Sequence, residues 1–492
     1  MSEIDLIGAG AGDTIVDPEA RGGAHACSRD GGAEPGQAGR ITCRHGVESV
    51  GGGMRVDGGA PSLVDMVFED NAATAGRGGG LFVLNGEVTL RACSFAGNSA
   101  TSESPARSWG GGLYAGPDSV VLAGETVFAG NSSEMGGGLG GEAAARVTLD
   151  NCVFAENEGG GVFTFDGAAS VSDSLFVGNL DFGMRTNFTF ARVERCELRD
   201  HVGVPGLLAR QGDLRVIDSR FAGNGTGLVA REISAEVTSS VFTHNTDAGL
   251  ALNGGDLIAS DSAFSHNQRG VSIGFESRAA IRGSMFEKNG GPAGGGGLAY
   301  SAFYGLDLED CVFRKNRGED GAGVSLATVG GVVTLVNLVF DRNRAERDGG
   351  GLHVGSVREG SVTVLQSTFS GNRAGRSGGA IRVAPPVSGG PSPLLSVINS
   401  ILWSDSEGEI AASGPVSVTY SDVQGGFPGA GNIDADPLFV RPAAGDLHLR
   451  PDSPARDAGI DTGSLPPTDL DGQPRIQGSA PDMGAYELPA CY

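Results

Sequence analysis

Basic side chains recur at one position of a repeat in the second half of this 492-residue chain. Five stand two residues after a phenylalanine: His244, His266, Lys288, Lys315 and Arg342. Arg317, Arg344 and Arg373 stand two residues further along the chain. Stacked cations repel one another unless an anion or flanking acids compensate them. The edge over residues 288–376 therefore predicts one of two things, a solvated face held by salt bridges or a groove for an anionic glycan. His244 and His266 add proton-transfer catalysis as a less favoured alternative.

Acidic side chains are available near these cations. Residues 286–376 carry ten basic and ten acidic side chains, and the acids include Glu287, Glu319, Asp320, Asp341, Glu346 and Asp348. This balance favours the salt-bridged edge over the glycan groove. Further Asp residues stand three positions before several phenylalanines, as at Asp173, Asp218, Asp261 and Asp310, but never on two successive repeats. That spacing avoids like-charge contacts and indicates a solvated face, because a metal site needs its carboxylates together.

The last 70 residues hold a second group of carboxylates. Asp469, Asp471 and Asp482 are weak candidates for Ca²⁺, since Asp469-Leu-Asp-Gly472 partly matches a calcium-binding loop. The full loop spacing with its final Glu is missing. We therefore favour turn and cap formation for these residues, and we expect no cofactor and no catalytic residue.

The element that positions all these side chains is a repeated Phe-x-x-Asn. Its phenylalanines are residues 68, 95, 128, 154, 176, 221, 242, 264, 286, 313, 340 and 369, and Leu198 and Leu402 begin two degenerate copies. Successive copies lie 21 to 33 residues apart. A period in this range is typical of solenoids.

One repeat shows why the solenoid should be built from strands. In Val147–Val162, apolar and polar residues alternate with one slip before Phe154, which predicts two short half-buried strands joined by a bend. Asn157 suits the tight turn that follows, and the glycines behind it permit close approach of neighbouring coils. Stacked coils then place phenylalanines in an internal column and asparagines at a corner; Phe154, Asn157, Phe264, Asn267, Phe313, Asn316, Phe369 and Asn372 are the structural residues we expect there. About fourteen coils at ~4.8 Å each would extend roughly 65 Å.

Composition limits the function classes. The net charge of −24 argues against nucleic-acid binding, and no apolar run is long enough for a transmembrane helix. Cys93, Cys152, Cys196 and Cys311 occupy a small inward slot and are expected to be free thiols, because the successive cysteines lie too far apart to bridge. Cys27 and Cys43 stand close enough in sequence to form a disulfide, and we leave both states open.

The chain divides into three parts on this basis. Residues 1–50 hold incomplete coils and a mobile loop, residues 51–424 the parallel β-helix, and residues 425–492 a segment that caps the last coil. The first residues contain neither the basic nor the apolar region of a signal peptide. Two alternatives follow: a cytoplasmic protein, or one whose leader was removed or is not part of this sequence. We favour the second.

Two segments resemble known families. Cys93-Ser-Phe-Ala-Gly-Asn98 and the run from Ser367 to Ile381 resemble bacterial right-handed parallel β-helix proteins and are similar to the repeats of chlamydial polymorphic outer-membrane proteins. Asp434–Phe439, Leu449–Gly459, Asp469–Arg475 and Asp482–Glu487 resemble the C-terminal segment of the choice-of-anchor Q group. These resemblances imply an all-β fold, a right-handed single-stranded parallel β-helix of the pectin-lyase-like kind with an irregular capping tail, in a bacterial protein that is secreted or surface-exposed. No autotransporter barrel follows the repeats.

Two functions remain as hypotheses. The favoured one is a non-enzymatic secreted or cell-surface protein with a structural or adhesion role, whose partners are surface glycans or proteins. The alternative is a polysaccharide-binding or lyase-like protein that uses the basic face at residues 288–376. Pectate lyases and polygalacturonases share the architecture, but architecture alone does not assign an activity.

Overall fold

Strands with short turns make up nearly all of the computed structural model, which describes residues 27–29, 41–102, 107–291, 296–357, 360–385 and 394–489. The loop predicted between Pro18 and Gly39 lies almost wholly outside these residues. The chain forms two compact units, residues 1–234 and 235–492. Each unit is a stack of parallel coils, so the predicted all-β parallel β-helix is confirmed.

The first unit is built from three kinds of strand per coil. The Phe strands, which contain the repeated phenylalanine or its substitute, are Ile41–Arg44, Met66–Glu69, Ser94–Ala96, Val127–Ala129, Val153–Ala155, Leu175–Val177, Glu197–Arg199 and Arg220–Ala222. The Leu strands, which follow the glycine runs, are Met54–Asp57, Leu81–Leu84, Leu113–Ala115, Leu139–Glu142 and Val162–Phe165. The Val strands, which come next, are Ser62–Val64, Glu87–Arg91, Val120–Gly124, Arg146–Asp150 and Ala168–Ser172.

Later coils of this unit fuse the Leu and Val strands. The fused strands are Met184–Glu194, Leu207–Ile217 and Leu228–Thr238, the last of which runs on past residue 234. A small parallel sheet consists of Val47–Val50, Ala72–Arg77 and Ser99–Ala100. Cys27–Arg29 pairs with Ile41–Arg44 in antiparallel register.

The second unit repeats this plan. Its Phe strands are Val241–Thr243, Ala263–Ser265, Met285–Glu287, Val312–Arg314, Val339–Asp341, Thr368–Ser370, Ile401–Trp403 and Asp422–Val423. The fused strand Ala248–Ser260 is followed by the Leu strands Arg269–Ile273, Leu298–Ala302, Val324–Val329, Leu352–Val357, Ile381–Val383 and Ile410–Ala412. The Val strands are Ser277–Arg282, Leu306–Glu309, Val333–Val336, Val362–Leu365, Leu395–Ile398 and Val416–Thr419. Arg317–Gly318 pairs with Arg344–Ala345, and Phe439–Arg441 forms a hairpin with Asp446–Leu449 around the 3₁₀ turn Pro442–Ala444.

A single left-handed residue makes each bend on either side of a Phe strand. Three positions before the phenylalanine, Asp261, Asp310 and Asn337 have φ values of 52°, 55° and 53°. Two positions after it, Lys288 and Lys315 both have φ of 53°. Left-handed backbone is costly for residues other than glycine and is adopted singly. The slip seen in the sequence alternation is therefore this one-residue turn.

The phenylalanines form internal columns in both units. Phe154 and Phe176 stack at 4.9 Å in the first unit, and Phe313 and Phe340 stack at 5.2 Å in the second. All of these rings are fully buried. In-register parallel pairing, as between Phe313 and Phe340, brings equivalent rings together on every coil.

The asparagines form a hydrogen-bonded ladder beside these rings. Asn316 Nδ2 donates to the Phe286 carbonyl at 2.8 Å and to Asn343 Oδ1 at 3.0 Å. Its own Oδ1 accepts from the backbone N–H and Nδ2 of Asn289 at 3.0 and 3.1 Å. Asn157, Asn267 and Asn372 are equally buried and bonded to their neighbours. The ladder thus satisfies polar groups that the corner removes from water.

In the first unit, a histidine replaces one asparagine of the ladder. His201 Nδ1 lies 2.8 Å from Asn224 Oδ1, and its Nε2 lies 3.2 Å from Asn179 Nδ2. A neutral ring that carries its proton on Nδ1 satisfies both contacts, donating to the first and accepting from the second. Burial lowers the pKa of His201, which favours this neutral form.

The cysteines fall into two groups. Cys93, Cys152, Cys196 and Cys311 are buried free thiols, as predicted. Burial raises the pKa of Cys152 and of Cys196 to about 11. Cys43 is disulfide-bonded, and the residue directly opposite it in the antiparallel register is Cys27.

The C-terminal segment covers more than the last coil. Residues 430–435 continue the stack, because the backbone of Ile433 bridges Asp422 and accepts the Val423 N–H. The remainder packs along the outside of the Phe strands, where Phe439, Leu447 and Met483 bury against Val339 and Ile401. The capping tail is therefore also a side wall of the second unit. Within the described residues no helix has the length and apolarity that a membrane crossing requires.

Candidate functional site

The basic residues behind the phenylalanines divide into two columns on the second unit. The first column occupies the left-handed turn two residues after the phenylalanine: His244, His266, Lys288, Lys315 and Arg342. The second column stands four residues after the phenylalanine: Arg317, Arg344 and Arg373. Arg317 pairs with Arg344 and Arg344 bridges to Arg373, so these arginines stand on three successive coils.

The histidine end of the first column is a stacked pair. The rings of His244 and His266 lie 4.8 Å apart and 3° from parallel. His244 Nδ1 lies 2.8 Å from Thr243 Oγ1. Burial, followed by the nearby His244 and Lys288, lowers the pKa of His266. The described residues place no carboxylate in hydrogen-bond contact with either ring.

Arg342 is committed to the C-terminal segment. It pairs with the buried Asp341 at 2.8 Å and donates to the Ala443 carbonyl at 2.9 Å. Arg314 pairs with the same carboxylate at 3.0 Å and donates to the Gly445 carbonyl. Arg342 thus holds the hairpin turn against the Phe strands, and its guanidinium is only partly available to a ligand.

Other acids of the basic edge are also engaged. Glu319 pairs with Arg347 at 2.6 Å, and Asp320 pairs with the same guanidinium. Glu287 stands 3.9 Å from Lys288. The expected salt bridges therefore exist. They pair Arg314, Arg342 and Arg347 with acids, and among the described residues they do not include the arginines of the second column.

Lys315 of the first column and all three arginines of the second column have no carboxylate partner in the described part of the chain. In the described part of the chain, Lys315, Arg317, Arg344 and Arg373 make no side-chain ion pair or hydrogen bond, and all four are exposed. Two grooves run beside them. One of about 500 Å³ is lined by Lys288, Lys315, Arg317, Arg342 and Arg344. The other, of about 940 Å³, is lined by Arg317, Arg344 and Arg373 and also by the acids Glu346, Asp405 and Glu407.

A carboxyl pair that the sequence reading did not find stands where this groove ends. Asp405 takes the place of the next ladder asparagine, and its Oδ1 accepts from Asn372. The Asp405 N–H donates to Glu409 Oε1 at 3.1 Å. Burial, then the neighbouring Glu409, raises the pKa of Asp405. The sequence signal was an Asp in an asparagine slot, but nothing in the repeat indicated Glu409.

The calcium candidates are occupied by backbone donors. Asp469 accepts from the N–H groups of Asp471, Gln473 and Glu487. Asp482 accepts from the N–H groups of Asp457 and Leu488. Asp471 contacts His448 Nε2 at 2.7 Å. No group of three or more possible metal ligands occurs among the described residues.

A separate depression on the second unit also escaped the sequence reading. It encloses about 780 Å³ and is lined by Asp256, Glu276, Arg278, Phe303, Tyr304, Asp307 and Val332 among others. Glu276, Phe303, Tyr304 and Val332 lie in bends of unequal length between Leu and Val strands, and Asp256, Arg278 and Asp307 lie in the adjoining strands, so no fixed spacing indicates the group. Arg278 pairs with Asp307 at 3.7 Å.

Comparison with known proteins identifies the fold family. The periplasmic alginate epimerase AlgG is similar with a TM-score of 0.41 and 12% identity, over 66% of this chain and 84% of that one. Pectate lyase Pel9A is similar with a TM-score of 0.39 and 15% identity, over 76% of this chain and 88% of that one. Neither likeness supports an inference about activity, and no curated protein sequence matches. The family model for the right handed beta helix region matches residues 43–196 and 202–384. Since these stretches make up more than half of the chain, the protein belongs to the right-handed β-helix family.

Proposed function

We propose that this protein is a non-enzymatic, secreted or cell-surface β-helix that binds an acidic polysaccharide along the column Arg317, Arg344 and Arg373. The observation that carries the proposal is that, among the described residues, these arginines have no carboxylate partner, in a chain whose net charge is −24. Arginines on successive coils repel one another. An extended polyanion would relieve that repulsion, because each carboxylate or sulfate can accept a bidentate pair of bonds from a guanidinium.

The geometry of the column suits an extended ligand. Neighbouring coils are about 4.8 Å apart, so the three guanidiniums present a regular row, with Lys315 beside it. The two grooves that the column lines are open depressions that a polysaccharide chain can follow. The proposal assigns binding and not catalysis to these grooves.

Export is part of the same proposal. The Cys43 disulfide supports it, because disulfides persist in oxidising compartments and are rare in the cytosol. The resemblance of the repeats to surface proteins points the same way. A secreted or surface-exposed protein would meet acidic glycans directly.

Affinity electrophoresis in gels containing polygalacturonate, alginate or a sulfated glycan tests the binding. The purified protein should be retarded by at least one of them, and retardation should weaken as salt is raised, because exposed charges are screened. The triple variant R317Q/R344Q/R373Q should migrate as it does without glycan. Its matched control is R91Q/R220Q/R282Q, which removes three exposed arginines that already pair with glutamates.

Two outcomes would reject the proposal. One is no retardation by any acidic glycan; the other is an equal loss in the control triple variant. Catalysis is tested separately by incubating the protein with polyuronates, with and without Ca²⁺, and following the absorbance of unsaturated products. Formation of such products would contradict the non-enzymatic assignment.

A further inference from the structure

Four arginines gather on the first unit, far along the sequence from the column proposed above. The central one, Arg185, lies over an aromatic cluster, with its guanidinium carbon 5.0 Å from the Phe163 ring and 6.0 Å from the Phe182 ring. Phe163 and Arg185 are partners in the parallel register. Such contacts hold a cation in place through the aromatic quadrupole, so Arg185 is fixed in a half-buried position.

Two further arginines stand on the next coils. Asn187, two residues after Arg185, pairs with Arg210 on the following coil. The Leu207 N–H donates to the Gly227 carbonyl, and Gln211 Nε2 donates to Glu232 Oε2 at 2.8 Å. Both contacts fix a register in which Arg210 and Arg231 are neighbours one coil apart.

The fourth arginine, Arg107, contacts the same aromatic cluster through a methionine. Arg107 Nη1 lies 3.9 Å from Met135 Sδ, and Met135 packs with Phe163 and Phe182. Arg107 and Arg185 therefore flank the same apolar cluster. The guanidiniums of Arg107, Arg210 and Arg231 are close enough to Arg185 to oppose its charge: burial, then Arg210, Arg107 and Arg231 in that order, lowers the pKa of Arg185.

Three of these arginines have no carboxylate partner among the described residues. In the described residues, Arg107, Arg210 and Arg231 make no ion pair, and Arg210 Nε is buried without a hydrogen-bond partner. Glu232, the nearest acid in sequence, accepts from Gln211 instead. Converging cations with a buried, unused donor are costly in the absence of an anion.

We propose that Arg107, Arg185, Arg210 and Arg231 form a binding site for an oxyanion, that is, a carboxylate, sulfate or phosphate group. Arginine forks match the planar or tetrahedral oxygens of these groups and bind them bidentately. The aromatic cluster beneath keeps Arg185 in place, so the site needs little reorganisation on binding. This site is independent of the proposed function, because it uses different residues in the other unit.

The test uses the full chain with Arg317, Arg344 and Arg373 replaced by Gln, so that the proposed column no longer binds glycan. Isothermal titration calorimetry with sodium sulfate, sodium phosphate, a hexagalacturonate and a sulfated hexasaccharide separates a free ion from a group carried on a polymer. At least one probe should bind, with one site per chain. R210Q and R231Q should each lower the affinity roughly tenfold, as expected for the loss of one charge-assisted contact.

The matched control is R192Q. Arg192 lies on the same strand as Arg185 but pairs with Glu194 at 2.6 Å, so its loss changes the net charge equally and should leave the affinity unchanged. Circular dichroism confirms that each variant is folded. Failure of all four probes to bind would overturn the proposal, as would an equal loss of affinity in R192Q. If the unsubstituted chain still binds glycan while these probes fail here, only this second site is rejected.

Discussion

Replacing Asn316 by alanine should destabilise the second unit severely, although the side chain removed is small. The substitution deletes four hydrogen bonds: two accepted from Asn289 and two donated, to the Phe286 carbonyl and to Asn343 Oδ1. Asn343 Oδ1 keeps one partner, because the backbone N–H of residue 316 still donates to it at 3.0 Å. Two buried groups are left without partners, the N–H and one amide hydrogen of Asn289, whereas the Phe286 carbonyl lies in the parallel ladder with the next Phe strand and loses only its bond from Asn316.

The magnitude follows from these two groups. A buried polar group that loses its partner costs about 1–3 kcal/mol, so the total is at least about 2 kcal/mol. Bulk water does not reach these groups directly, because Asn289, Asn316 and Asn343 are all buried. The effect should be local first, since coils of a solenoid contact mainly their neighbours.

Hydrogen exchange read by mass spectrometry measures this local effect, with urea unfolding as the global measure. Peptides covering residues 284–345 should exchange faster by at least about 30-fold, which corresponds to ~2 kcal/mol. The control is Asn253→Ala, an exposed asparagine on the same unit, which should stay within about 0.5 kcal/mol of the parent. If Asn316→Ala were as mild as Asn253→Ala, the corner amides would not hold the coils together.

Three other predictions concern buried titratable groups. Asp341→Asn should release the Pro442–Ala444 turn, because Arg342 loses its carboxylate; limited proteolysis should then cut near residue 443, whereas Arg441→Gln should not have this effect. Burial raises the pKa of Asp422 to about 7. Its contribution to stability is therefore full below pH ~4 and is lost as the pH rises through 7. Asp422→Asn should change the melting temperature little at pH 4 and raise it at pH 8, where the gain in unfolding free energy is at most about 4 kcal/mol. His201 has a lowered pKa, so its contribution is lost as the pH falls below ~6.5; His201→Asn should flatten the pH dependence of the first unit between pH 4 and 7, and an unchanged slope would contradict the neutral ring.

Periodic burial is what made the fold readable from sequence. A phenylalanine that must enter the core on every coil recurs at the coil length, and the asparagine three residues later follows the same rule. The bends were visible only as slips in alternation, because residues such as Asp310 and Lys315, and not only the glycines that usually signal it, adopt the left-handed backbone there.

Pairing of charges was not readable in the same way. Arg347 reaches back one coil to Asp320, whereas Arg342 turns to its neighbour Asp341 and to a carbonyl about a hundred residues later. Arg475 is likewise buried against Asn337 by the returning tail. Such contacts depend on side-chain reach and on a segment without repeats, and neither leaves a period in the sequence.

The slot four residues after the phenylalanine shows that the arginine column is not a requirement of the fold. Other coils fill this slot with Ser99, Ser132 or Gln268 and keep the same corner. A structural slot gains nothing from stacked like charges, which destabilise a sheet by a few tenths of a kcal/mol to about 1 kcal/mol per pair. Arg344→Gln, which removes the central charge, should therefore raise the free energy of unfolding by about 0.5–1 kcal/mol while it weakens glycan binding. A loss of stability instead would mean that the column is part of the scaffold, and the argument for a ligand there would fail.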